Sequence, residues 1–141
     1  MVIHKIGDAL LHDCDILCHQ VNLQGVMGAG IAAQIADAFP SVEQDYVEFL
    51  PKELGQVCFS SANGKYVVAN CFSQDMMFTT DYMALFKCCE KVLDYMDEYN
   101  LDSVAFPHHY GCGIAQGNWD IVEKIIEKAF ENKTVKIYSR Q

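Results

Sequence analysis

Apolar and polar residues along this chain follow two periods, and the switches between them mark its elements. Val2-Ile3-His4-Lys5-Ile6 has the two-residue period of a strand and stops at Gly7-Asp8. Asp15 to Val21 is largely apolar and predicts a mostly buried strand ending at Asn22. Gly25-Val26-Met27-Gly28-Ala29-Gly30 then leads into a helical run from Ile31 to Phe39, stopped by Pro40. Ser41, with Gln44 three residues on, predicts a capping box and a short helix to about Leu50, ended by Pro51 and Gly55. Gln56-Val57-Cys58-Phe59 and the run from Lys65 to Cys71 flank Asn63-Gly64, a dipeptide suited to a tight hairpin turn.

Residues 73–81 are polar and methionine-rich without a period, which predicts an ordered loop. From Asp81 to Tyr99 the residues Leu85, Cys88, Cys89, Val92, Leu93 and Met96 fall on one helical face. Ser103-Val104-Ala105-Phe106 predicts a short buried strand closed by Pro107. Asn118 suits the cap of a helix running to about Phe130, and Thr134-Val135-Lys136-Ile137-Tyr138 predicts a last strand. Strands alternating with helices imply an α/β domain with a mixed, mostly parallel sheet covered on both faces. At 141 residues, with no linker or repeat, residues 1–141 are expected to form a single domain.

Charge narrows what such a domain can bind. Ten Lys and Arg stand against nineteen Asp and Glu, a net −9. That surface repels a nucleic-acid backbone, so non-specific nucleic-acid binding is not expected. It also means that a phosphate, if held here, must be held mainly by backbone N–H groups. No stretch approaches the roughly 20 apolar residues of a membrane span, so no membrane partner is expected. The seven cysteines are odd in number, never spaced C-x-x-C, and no secretory h-region precedes them. Reduced thiols, a cytoplasmic location and a monomer are the expectations.

In sheets of this kind ligands bind at the carboxyl ends of the strands. Two glycine-rich turns lie there: Gly25, Gly28 and Gly30 after Asn22, and Gly111, Gly113 and Gly117 after Pro107. Such turns let a ligand approach the backbone, and the helix that follows offers free N–H groups to an anion. Neither turn is a Walker loop or a G-x-G-x-x-G fingerprint after the first strand. Two of them facing one cleft suit a diphosphate. His108, His109 and Cys112 match no standard zinc spacing, and neither a metal nor a cofactor is expected. Both histidines lie beside the second turn, where they can touch a ligand or close the strand end. Tyr82 and Trp119 are read as packing residues.

The segment Gly7-Asp8, the run from Cys18 through His19, Asn22 and Gly25-Val26-Met27-Gly28-Ala29-Gly30 to Ala32, and Tyr110-Gly111-Cys112-Gly113-Ile114-Ala115-Gln116-Gly117-Asn118-Trp119 resemble the macro domain family. They are most similar to its single-domain bacterial and phage branch, which is related to ADP-ribose-1″-phosphatases and terminal ADP-ribose protein glycohydrolases. The resemblance covers nearly the whole chain and implies a three-layer α/β/α fold that binds ADP-ribose. It implies that Asp8, with Ala9 beside it, meets the adenine amino group and that Asn22 holds the distal ribose. It implies that Gly25, Gly28, Ala29, Gly30 and Ile31 wrap the ribose and phosphates. Gly111, Cys112, Gly113, Ile114 and Ala115 would supply N–H groups to the pyrophosphate.

The chain departs from the glycohydrolase branch in two places. Residues 72–80 lack the lysine that attacks the sugar there, and Ala115 stands at the acidic position. A Schiff-base route needs an amine, so hydrolysis would have to run through a bound water. The phosphatase branch pairs a histidine with an aspartate of the middle loop, and His19 and Asp75 match those places. The resemblance therefore implies hydrolysis of ADP-ribose 1″-phosphate by His19, Asn22 and Asp75. Release of ADP-ribose from a modified macromolecule or from O-acetyl-ADP-ribose is one alternative, and a non-catalytic ADP-ribose reader is the other. The expected partner in each case is ADP-ribose, a derivative of it, or an ADP-ribosylated macromolecule.

Overall fold

A computed structural model describes residues 1–110 and 116–140. Six strands form one sheet: β1 Val2–Ile6, β2 Ile16–Val21, β3 Val57–Ser61, β4 Val67–Phe72, β5 Ser103–Pro107 and β6 Thr134–Ser139. Their order is β1-β6-β5-β2-β4-β3, and all pairings are parallel except β3 with β4. The helices are α1 Gly30–Ala38, α2 Pro40–Glu48, α3 Tyr82–Glu98 and α4 Trp119–Ala129. No helix of the described residues is long and apolar enough to cross a membrane.

The sheet separates two apolar layers. Ile16 and Cys18 of β2, with Ala69 and Cys71 of β4, pack against Leu85, Cys88, Cys89, Val92 and Met96 of α3 and Val122 and Ile126 of α4. Leu17 and Val21, with Val68 and Phe72, face the other way onto Ile35 of α1 and Val42 and Tyr46 of α2. Ile16, Leu17 and Cys18 have no exposed surface, as a strand covered on both faces requires. The apolar face read along residues 85–96 is the one α3 buries.

Local chemistry explains most boundaries. Asp81 caps α3 by accepting from the Ala84 N–H at 2.9 Å, and Asn118 caps α4 by accepting from the Asp120 N–H at 2.9 Å. Asn63 and Gly64 take φ values of +53° and +77°, and the Lys65 N–H closes the turn on the Ala62 carbonyl at 2.9 Å. That is the hairpin turn whose twist matches its strands. One expectation fails. Ser41 does not cap α2, because Pro40 already occupies its first turn and Phe39 is the cap residue. Proline has no N–H to satisfy there, so the helix starts without a capping box. Gln44 instead reaches Glu48 at 3.2 Å. A 3₁₀ turn at Ala9–Leu11, capped by Asp8, was not legible from periodicity because three residues are too few to show one.

Two histidines are buried among these layers. His12 is 8% exposed, and its Nδ1 accepts from the Cys14 N–H at 2.9 Å. His19 has no exposed surface and pairs with Asn70 through Nε2 at 2.6 Å. Burial pushes both imidazoles down from 6.5 to about 4. Each is therefore neutral in the native state while its unfolded counterpart protonates below about 6.5, so the unfolded state binds more protons in that window. Stability is full above pH 6.5 and declines as pH falls towards 4. His19 alone contributes on the order of 3 kcal/mol to that decline. Urea midpoints should fall between pH 7.5 and pH 4.5, even though the net negative charge shrinks over the same range. A flat or rising midpoint would show that neither ring is buried in neutral form.

Candidate functional site

Parallel pairing brings five strand ends to one edge, so the segments after residues 6, 21, 72, 107 and 139 all open on the same side. A cavity of about 540 Å³ lies there, between the ends of β1, β5 and β6 and the start of α1. Gly7, Asp8 and Ala9 form one wall, Ile31 and Gln34 another, and His108, His109, Tyr138, Ser139 and Arg140 the rest. Asp8 and Ala9 therefore line the cavity, and so does Ile31.

Asp8 is held from two sides. One carboxylate oxygen accepts from the Leu10 N–H at 3.0 Å and caps the 3₁₀ turn. The other meets the Arg140 guanidinium at 3.2 Å, and Arg140 also donates to Gln34 at 2.9 Å. Sequence reasoning missed Arg140, Gln34 and Tyr138. The signal that would have found the first and last is the pairing of β1 with β6, which sets Ile6 opposite Ser139.

The first glycine turn is built around Asn22. Its Oδ1 accepts from the N–H groups of Gln24 at 3.0 Å and Val26 at 3.4 Å, and its Nδ2 donates to the Val26 carbonyl at 2.8 Å. The Tyr46 hydroxyl of α2 lies 2.7 Å from both the Asn22 carbonyl and its Oδ1, and accepts from the Gly25 N–H at 3.1 Å. Tyr46 is fully buried, and burial pushes its phenol up to about 12, so the hydroxyl stays protonated at neutral pH. Gly25 and Gly30 need glycine for their φ values of +81° and +57°. Gly28, Ala29 and Gly30 are exposed, and no side chain caps α1, which leaves its first N–H groups open to a ligand.

The second glycine turn, Gly111, Cys112, Gly113, Ile114 and Ala115, lies outside the described residues. Just before it, the His108 and His109 rings lie tilted against each other with centroids 3.7 Å apart, and both make edge-type contacts with a half-buried Trp119. Tyr82, half-buried as expected of a packing residue, accepts from the Asn118 N–H at 2.8 Å.

The structure does not bring His19 and Asp75 together. His19 sits in the layer between sheet and helices, its Nε2 donating to Asn70, which itself donates to the Cys58 carbonyl at 2.9 Å. Asp75 accepts from the N–H groups of Met77 at 2.9 Å and Thr79 at 3.0 Å, stiffening the loop of residues 73–81. That loop holds Phe78 at φ +59° and leaves Met76 and Met77 exposed. Gln24 of the first glycine turn reaches across to the Met76 carbonyl at 3.4 Å. Lys52, the amine beside Gly25, donates to the carbonyls of Val47 and Phe49 at 2.5 and 3.0 Å and is thereby occupied. Cys14, Cys18, Cys58, Cys71, Cys88 and Cys89 are buried free thiols. Among the described residues no three His, Cys, Asp or Glu side chains are placed to hold a metal ion.

Comparison with known proteins fits this geometry. The chain is 28% identical over 127 residues to the 17.5 kDa protein of the tk-vs intergenic region of Enterobacteria phage T4, covering 84% of this chain and 82% of that one. It is 26% identical over 123 residues to human ADP-ribose glycohydrolase OARD1, covering 87% and 79%. Its fold superposes on the macrodomain of Thermus aquaticus DarG with a TM-score of 0.85 at 23% identity, covering 98% and 97%. The Macro domain family model matches residues 18–126, which include most of β2, both helices after it, the loop of residues 73–81 and most of α4. With the mixed six-stranded sheet and its glycine turn at the carboxyl edge, this chain belongs to the macro domain family.

Proposed function

We propose that this protein binds ADP-ribose along the carboxyl edge of its sheet and hydrolyses bonds made at the 1″ carbon of the distal ribose. The observation that carries the reading is that the cavity walled by Asp8 and Arg140 reaches Ile31 in the first turn of α1, directly after the glycine turn that Asn22 orders. The cavity between β1, β6 and α1 suits the adenosine half, with Asp8 accepting from the exocyclic amine. The uncapped N–H groups of α1 lie where a diphosphate would end, and they supply in an acidic chain the attraction that lysines supply elsewhere. The distal ribose then falls beside Asn22, and a conjugated group leaves past the loop of residues 73–81.

No lysine stands in that loop, and Lys52 is tied to two carbonyls, so the route we favour is attack by a water held at the ribose. In that step the water oxygen bonds to the 1″ carbon, the bond to the conjugate breaks, and the proton lost by the water leaves with the departing group. The human relative carries the name ADP-ribose glycohydrolase, which agrees with this class of reaction. Release of phosphate from ADP-ribose 1″-phosphate would draw on His19 and Asp75. His19 is sealed in the interior and Asp75 is engaged by its own loop, so the first reading has the better support.

Calorimetric titration with ADP-ribose should give a saturable heat. Asp8→Asn, which keeps the cap of the 3₁₀ turn but loses the charge, should weaken binding by about tenfold. Incubation with a mono-ADP-ribosylated protein should release free ADP-ribose, and Asn22→Ala should slow that release by about tenfold or more. No heat from ADP-ribose would remove the ligand assignment. Heat with turnover only of the 1″-phosphate, lost in Asp75→Ala, would transfer the reaction to phosphate release. Heat with neither product would leave a reader.

A further inference from the structure

We infer that Tyr46 is a positioning residue that locks the amide of Asn22 so that it meets the ligand as a hydrogen-bond donor only. The inference deepens the proposed function, since it takes the distal ribose to lie beside Asn22, but its physical core is a property of the free protein.

Asn22 Oδ1 has three donors around it: the Gln24 and Val26 N–H groups and the Tyr46 hydroxyl. Two of these are backbone N–H groups, which cannot accept, so the side chain cannot turn its NH₂ group towards them without leaving both unsatisfied. One Nδ2 hydrogen goes to the Val26 carbonyl at 2.8 Å. The other meets no acceptor among the described residues, and it is the one polar group of the side chain left for a ligand. Asn22 can therefore donate to a sugar hydroxyl but cannot accept from it. It polarises or orients that hydroxyl and cannot act as the base.

Tyr46 fixes this state from below. Its hydroxyl carries one hydrogen, shared between the Asn22 carbonyl and Oδ1 at 2.7 Å each, and accepts from the Gly25 N–H at 3.1 Å. It thus ties the side chain, the main chain and the left-handed glycine of the same turn to α2. The ring is fully buried, lies against Phe72 with centroids 5.7 Å apart, and has the Lys52 ammonium 6.0 Å from its centre. The hydroxyl therefore has little freedom to follow a displaced turn. Tyr46 and Asn22 are 24 residues apart in the chain, a link invisible to any local pattern.

Tyr46→Phe keeps the packed ring and removes only the oxygen. In ¹H–¹⁵N spectra of the free protein, the Asn22 side-chain amide should give two well-separated, slowly exchanging proton signals, identified by their absence from Asn22→Asp. In Tyr46→Phe they should move together and broaden, while the core signals of β2 and α3 keep their positions. In turnover of an ADP-ribosylated protein, Tyr46→Phe should lower kcat by about tenfold with KM within about twofold, because the adenosine and diphosphate contacts are untouched. Asn22→Asp still accepts from the same three donors but loses both the donation to the Val26 carbonyl and the N–H left for the ligand, and should lose turnover. Unchanged amide signals in Tyr46→Phe would overturn the inference whatever the protein hydrolyses, and so would full activity in Asn22→Asp. An inactive wild-type protein with the amide signature intact would count against the proposed function and leave this inference standing.

Discussion

Everything at this site depends on the parallel pairing of β2. Its fully buried residues lie between β4 and β5, and the shared direction of the three strands brings Asn22, Ser73 and His108 out on one edge. Had any one of them run the other way, its loop would open on the opposite side of the sheet. The antiparallel β3 is tolerated because it sits at the margin, where its turn carries no candidate ligand group. The hydrophobic runs that fill the sheet thus also fix which backbone N–H groups face a ligand.

Charge then decides the manner of binding. A chain with net −9 cannot build a basic pocket without local reversal, and the structure shows only modest reversal: one guanidinium, Arg140, already engaged by Asp8 and Gln34. In the proposed binding mode the remaining attraction comes from the open start of α1. Dipoles and N–H groups act over short range and in fixed directions, so they reward an anion placed correctly and do little for one that drifts past. Such a site is suited to a compact anion held in one place.

Much of this was legible in the sequence, and for physical reasons. Buried strands and amphipathic helices announce themselves by period, and Asp81, Asn118 and Asn63-Gly64 by the backbone groups that they satisfy. The first glycine turn was legible because left-handed backbone needs glycine at Gly25 and Gly30. What stayed hidden depends on contacts between distant segments. Arg140 reaches the cavity only because β6 lies against β1, and Tyr46 reaches Asn22 only because α2 folds back beneath the turn. Ser41 misled because a capping pattern competes with a proline at the preceding position, and the proline won. His19 and Asp75 were picked out by resemblance to a family pattern, and a one-dimensional pattern carries no information on which way a buried side chain faces.

The strand order has a temporal side. β6 is inserted between β1 and β5, with Val135 opposite Val2 and Val104. During synthesis β1 emerges first and finds no partner until residues 134–139 have followed, whereas the hairpin of β3 and β4 can close at once. Pairings so far apart in the chain are slow to form. The wall that joins Asp8 to Arg140 is accordingly the last part of the cavity to be assembled. A chain that lacks β6 also lacks the wall that Asp8 and Arg140 form, so ligand binding at this edge would report on the completed sheet.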